Sequence, residues 1–177
     1  MKETEIKFPV QNLPSIKSIV QKSGGGFEAS FFEDNIVFDD DKGTLFSNKY
    51  LLRLRKSDGV TLTFKKPIER SQFKVMEEYE VSVSNFDETL KILNLLGFKK
   101  VFRYQKRREI FSLGHTKVLL DCTPIGDFVE IEGEKEDITK ISSLLGLDLE
   151  RGTSKNYMVL YREYCKENEI EPGDMVF

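Results

Sequence analysis

Five same-sign pairs of ionisable residues recur at a spacing of two. Glu3 and Glu5, Glu78 and Glu80, and Glu130 and Glu132 are acidic, whereas Arg53 and Arg55, and Lys106 and Arg108, are basic. In an extended chain, residues i and i+2 share a face and stand roughly 7 Å apart. Carboxylates at that separation suit a hard divalent cation. Guanidinium groups at the same separation suit a run of phosphates, because each can fork two oxygens. Acids that hold metal beside bases that hold phosphate form the arrangement used in metal-assisted phosphoryl chemistry.

These residues fall in segments that read as strands. Alternation predicts strands over residues 2–8, 50–56, 60–66, 76–83, 104–113, 116–122 and 127–134, with one more long strand over 27–39. Along them Glu3, Glu5 and Lys7 share a face; Arg53 and Arg55 oppose Leu52 and Leu54; and Lys65 shares a face with Thr61 and Thr63. Lys106 and Arg108 lie together, as do Lys117, Leu119 and Asp121. Helices are expected over 13–22, 86–96, 137–145 and 154–166, the second marked by Asn85 and Glu88 as a capping box and closed by Gly97. The run Gly24-Gly25-Gly26 lacks the Gly-Lys-Ser/Thr ending of a phosphate loop and reads as a turn after the first helix.

The polar faces are almost purely ionic, which leaves two architectures open. An open sheet would show its charges to bulk water, where each pair contributes ~0–1 kcal/mol and nothing requires the pattern. A closed eight-stranded barrel with helices outside would turn them into its own interior. Dry burial of so many ions is prohibitive, so such an interior must be wet and organised for a multiply charged ligand.

The chain has 177 residues, 27 Lys+Arg against 30 Asp+Glu, and a net charge of −3, which speaks against general nucleic-acid affinity. Its length fits one domain over 1–177. It has no apolar stretch long enough for a membrane span and no apolar leader after Met1, so a cytoplasmic protein is expected, with Cys122 and Cys165 reduced.

The segments Glu3-Thr4-Glu5-Ile6-Lys7, Leu52-Arg53-Leu54-Arg55, Leu62-Thr63-Phe64-Lys65, Glu78-Tyr79-Glu80, Lys106-Arg107-Arg108, Leu120-Asp121, Glu130-Ile131-Glu132 and Ser154-Lys155-Asn156-Tyr157 occur in an order that resembles the CYTH superfamily. These are the triphosphate tunnel metalloenzymes, which include class IV adenylyl cyclases, thiamine triphosphatases and inorganic triphosphatases. The resemblance implies an α+β fold, an eight-stranded antiparallel β-barrel forming a tunnel, with helices packed outside. It implies metal binding by Glu3, Glu5, Asp121, Glu130 and Glu132. It implies triphosphate binding by Lys7, Arg53, Arg55, Lys65, Arg108 and Lys155, with Lys106 joining from the same face. Glu78 and Glu80 match a further acidic pair that supports the site or holds a second metal. Where some small bacterial relatives carry Asp-x-Tyr-Phe in the second strand, this chain has Asn35-Ile36-Val37-Phe38.

The expected function is metal-dependent hydrolysis of a small-molecule triphosphate: inorganic, thiamine or nucleoside. Glu3, Glu5, Lys7, Arg53, Arg55 and Lys65 would carry catalysis. Cyclisation of ATP to cyclic AMP and pyrophosphate is the alternative, and a non-catalytic polyphosphate-binding module is the third reading. His115 and the run Asp39-Asp40-Asp41-Lys42 read as turn residues, as do Lys99-Lys100. Cys122 should pack as a small core residue, and Tyr157, Tyr161 and Tyr164 should pack at helical spacing. Lys66 and Arg107 should face outward, whereas a bulge could return Arg103 to the polar face. The apolar strip Met175-Val176-Phe177 needs cover, from the barrel or from a second copy in a homodimer.

Overall fold

The computed structural model describes residues 1–177, except for the side chain of Arg70. Among the described residues it has eight strands: β1 (Lys2–Val10), β2 (Gly26–Asp39), β3 (Leu51–Lys56), β4 (Val60–Arg70), β5 (Lys74–Ser82), β6 (Lys99–Leu113), β7 (Thr116–Thr123) and β8 (Gly126–Glu132). Five α-helices accompany them: α1 (Leu13–Lys22), α2 (Thr44–Ser47), α3 (Phe86–Leu95), α4 (Lys135–Leu144) and α5 (Tyr157–Glu167). The strands close into an antiparallel ring in the order β1-β5-β4-β3-β2-β6-β7-β8. The closed barrel, and not the open sheet, is the architecture.

Closure runs through β1. Glu5 stands opposite Lys74 of β5 on one side and Glu132 of β8 on the other. Around the ring the inward register sets opposite charges side by side: Lys7 with Glu130, Lys65 with Glu78, Glu33 with Lys106 and Arg108 with Asp121. Such cross-strand ion pairs favour one register over its neighbours, since a slip of one residue would send the ions into the apolar layer.

The apolar core lies between the ring and the helices. Ile6, Phe8, Val118, Leu120, Val129 and Ile131 pack with Val20 of α1 and Ile138 of α4. Leu52, Leu54, Ile36 and Phe38 pack with Leu93 of α3. Asn12, Asn85 and Asn156 start α1, α3 and α5 by accepting from backbone amides at Ser15, Glu88 and Val159. The glycine run closes α1 as expected: Gly24 takes a φ of +86°, and the Gly25 amide bonds back to the Val20 carbonyl.

Several boundaries differ from the sequence reading. β4 continues through Pro67, because the strand shifts register between Pro67 and Glu69 and so spares the missing amide. β6 starts at Lys99, so Lys99 and Lys100 belong to a strand and not to a turn. Asp39 is buried rather than solvated, and its carboxylate accepts from the amides of Asp40, Leu45 and Phe46 at the start of α2. α5 begins only at Tyr157. Before it, Thr153 exchanges two backbone hydrogen bonds with Lys7, which keeps this stretch extended. Gly152 permits that approach, since a Cβ there would stand 2.4 Å from Ile6 Cδ1.

The C-terminal strip docks on its own barrel. β7 ends at Thr123 and leaves the first half of β6 unpaired on that side. Met175 fills the edge, bonding to Arg103 and Gln105 through its backbone, and its side chain is buried. Arg107 faces outward and stacks over Phe177 at 4.2 Å.

Candidate active site

The bore of the ring holds a cavity of about 540 Å³ that opens to solvent. Glu3, Glu5, Lys7, Arg53, Arg55, Lys65, Glu78, Glu80, Lys106, Arg108, Glu130 and Glu132 all contribute to its wall. Asp121 is fully buried behind that wall, bonded to Lys106, Arg108 and Tyr157. Of the residues singled out in the sequence, Lys155 is the one the structure leaves outside. Its ammonium is half exposed and bonds both oxygens of Glu163, at 2.7 and 2.9 Å. The extended stretch before α5 places Tyr157, two residues on, in the tunnel instead.

Three carboxylates gather at β1 and β8. Oxygens of Glu3, Glu5 and Glu132 all lie within 4.8 Å of one another. Burial, then the Glu130 carboxylate and the Glu5 and Glu3 charges beyond it, push Glu132 up to about 8. Among the described residues no base lies within ion-pair distance of Glu132. Glu3 is also raised, by burial and by Glu5, against the opposing pull of Lys65 at 2.5 Å. Burial opposes ionisation of Glu5, but Lys74 at 2.8 Å, with Lys7 and Lys65, holds it at about 2. Three hard oxygen ligands with excess negative charge form a donor set that fits a divalent cation.

Asp121 and Glu130 stand apart from this cluster and are saturated by bases. Asp121 accepts from Arg108 through two bonds of 2.6 Å, from Lys106 at 3.0 Å and from the Tyr157 hydroxyl at 2.6 Å. Glu130 pairs with Lys7 and with Arg108. Burial works against both charges, and the surrounding bases overcome it, so both carboxyls stay below their ordinary range. These two acids hold the bases rather than joining Glu3, Glu5 and Glu132. Glu78 and Glu80 serve in a similar way, Glu78 on Lys65 at 3.2 Å and Glu80 on Arg55 at 3.3 Å and on the Thr63 hydroxyl at 2.7 Å.

Arg53 and Arg55 are poorly satisfied by comparison. Arg53 reaches Tyr104 at 3.3 Å and Thr63 at 3.4 Å, and the Nε of both arginines is buried without a partner among the described residues. A buried guanidinium with orphan donors is costly unless an anion completes it.

Sequence reasoning missed part of this charge network. Glu33 is almost fully buried beside Lys106, Arg108 and Arg55. Burial opposes its charge, and those bases with Arg53 hold it at about 2. The alternation Glu33-Ile36-Phe38 across 27–39 carried a signal, weakened by the phenylalanines at 31 and 32. Tyr157 packs as expected, against Tyr104 and Phe128, but its ring also lies under two ammonium groups, Lys7 at 5.0 Å and Lys106 at 5.1 Å, and its hydroxyl donates to Asp121. Tyr161 packs as well, against Phe102. Lys117 and His115 stand at the mouth nearest Glu132. Arg103 points outward to Asp34, with two bonds of 2.8 and 2.6 Å. Cys122 is half-buried rather than in the core.

A closed antiparallel ring with an inward lining of paired acids and bases defines a class of tunnel proteins. The CYTH domain model matches residues 1–150, and the chain belongs to the CYTH family. It is 29% identical over 147 residues to a Methanocaldococcus jannaschii protein named "Putative adenylate cyclase MJ0240", covering 82% of this chain and 84% of that one. The PH1819 protein from Pyrococcus horikoshii OT3 is similar in structure, with a TM-score of 0.79, 26% identity, and coverage of 91% of this chain and 98% of that one. A Hippeastrum cyclase-like protein, HpAC1, whose structure is described as revealing a dominant triphosphatase activity, has a TM-score of 0.64. It is 15% identical and covers 91% of this chain and 95% of its own, a likeness of fold. No helix among the described residues is long and apolar enough to cross a membrane.

Proposed function

We propose that this chain is a metal-dependent phosphohydrolase acting on triphosphorylated small molecules. One observation carries the reading: three carboxylates close enough to share one cation and two arginines, each with an unpartnered Nε among the described residues, lie around one cavity. A metal–polyphosphate complex satisfies both at once. Held by Glu3, Glu5 and Glu132, Mg2+ or Mn2+ would neutralise phosphate oxygens and lower the pKa of water for attack on phosphorus.

The chain's own residues supply the rest. Arg53 and Arg55, both on the cavity wall, would fork phosphate oxygens through their terminal nitrogens. Lys7, Lys65 and Lys106 add fixed positive charge along the bore. Asp121 and Glu130 keep Arg108, Lys106 and Lys7 in place before substrate arrives, so little reorganisation is needed during reaction. At neutral pH and without a cation, Glu132 holds a proton, which it gives up when positive charge arrives beside it.

ATP cyclisation is the second reading, favoured by the name of the M. jannaschii relative. It uses the same clamp and differs in which phosphorus meets the nucleophile. Incubation with ATP, thiamine triphosphate and tripolyphosphate, each with Mg2+ or Mn2+ and resolved by phosphorus NMR, separates the readings. Orthophosphate is expected. Cyclic AMP with pyrophosphate would establish the cyclase, and no turnover of any substrate would leave a binding module.

A further inference from the structure

Bases already sit on two of the three clustered carboxylates. On the closed ring Glu5 has Glu132 of β8 opposite it on one side and Lys74 of β5 on the other. The Lys74 ammonium bonds Glu5 Oε1 at 2.8 Å, and the Lys65 ammonium bonds Glu3 at 2.5 Å. Oxygens of Glu3, Glu5 and Glu132 lie within 4.8 Å of one another, so a cation shared by all three must compete for Glu5 with the base that holds it.

The bases around this cluster are not anchored alike. Lys7 approaches Glu5 at 3.6 Å, but it also pairs with Glu130 and lies over the Tyr157 ring. Lys65 has Glu78 behind it at 3.2 Å. Lys74 has no acidic partner but Glu5 among the described residues. Burial and the Glu130 charge oppose ionisation of Glu5, and Lys74 leads the bases that overcome them. Its place in the chain also leaves Lys74 room to move. It is the first residue of β5, and the β1–β5 ladder ends at the Glu5–Lys74 pair. Its side chain is 17% exposed and borders both the bore and a second cavity beside it. A displaced ammonium therefore reaches water without crossing the apolar core.

Resting on the reading of Glu3, Glu5 and Glu132 as metal ligands, we propose that Lys74 is an internal substitute for the divalent cation. It keeps Glu5 ionised and in place until metal arrives, and it yields that carboxylate when metal binds. Lys7 and Lys65 keep Glu130 and Glu78 throughout. Lys74 thus sets the metal affinity, because each binding event must break its one ion pair. An ammonium left beside a dication is repelled, and in a largely buried site that repulsion is weakly screened.

The test is titration of Mn2+ into protein without substrate at neutral pH, with free Mn2+ read by electron paramagnetic resonance. Lys74→Met and Lys74→Gln should each tighten Mn2+ binding by about tenfold. Lys66→Met removes the same charge from the outer face of β4, where Lys66 pairs with Glu77, and should leave the affinity within about twofold. Unchanged or weaker binding in the Lys74 variants, or an equal gain in Lys66→Met, would overturn the proposal. Glu5→Gln should weaken binding by about tenfold or more, and in that background Lys74→Met should show no gain, since its acidic partner is gone. A gain that persists there overturns the proposal. Wild-type affinity in Glu5→Gln overturns the metal-site reading itself, and the Lys74 assignment with it. Should Lys74→Met fold poorly by circular dichroism, Lys74→Gln alone carries the comparison.

Discussion

Glu132 offers a direct check on whether the acid cluster lies in one buried site. Burial and its carboxylate neighbours raise it to about 8 in the fold, against 4.5 for a free glutamate. A raised carboxyl makes the native state bind the proton more tightly than the unfolded chain. Its contribution to stability is therefore complete below pH 4.5 and is lost as pH rises through 8. Between pH 5.5 and pH 9, linkage gives a loss of about 3 kcal/mol from this one group. Urea denaturation in the presence of a chelator should show wild-type protein losing that much more than Glu132→Gln over the same interval. Titrations distant from the acid cluster cancel in the comparison. Saturating Mn2+ at pH 9 should restore the wild-type loss. Parallel pH profiles for the two proteins would refute the reasoning, because they would mean that Glu132 is not pressed against like charges.

Other perturbations have equally definite outcomes. Glu3→Gln should lower metal-dependent turnover by about a hundredfold or more while leaving circular dichroism unchanged, since it removes a ligand from a tunnel wall and not from the core. Asp121→Asn should cost roughly 3–5 kcal/mol in denaturant titrations, because Arg108, Lys106 and Tyr157 would lose the buried charge they share. Met175→Ala should cost about 2–5 kcal/mol by the same measurement, as the side chain is fully enclosed. Gly152→Ala should lower Tm, because its Cβ would collide with Ile6 and Phe8 beneath the Lys7–Thr153 bridge.

Much of this site could be read from alternation. Where a strand pairs one ionic face with one apolar face, as at Leu52-Arg53-Leu54-Arg55, the period of two assigns each side chain, but alternation alone left an open sheet and a closed barrel both possible, and the strand order decides for the barrel. The signal failed where another force set the geometry. Lys155 was placed with the bases on the strength of resemblance, but the two backbone bonds between Thr153 and Lys7 keep that stretch extended and carry Tyr157 inward in its place. Glu33 was hidden in a strand whose outer half is aromatic. The docking of Met175 uses main-chain bonds on the open side of β6, which side-chain patterns do not encode. The division of labour among the acids was also invisible. Spacing puts Glu130 and Glu132 on one face, but only the neighbouring strands decide that Glu130 meets Lys7 and Arg108 while Glu132 meets other carboxylates.

The central claim is that one bore holds a divalent cation and a polyphosphate together. Crystals grown with Mn2+ and tripolyphosphate, with diffraction recorded at a wavelength where manganese scatters anomalously, address it most directly. The account predicts a manganese peak among Glu3, Glu5 and Glu132, with phosphate oxygens on Arg53 and Arg55. Manganese and phosphate found only on the outer surface of the barrel would contradict it.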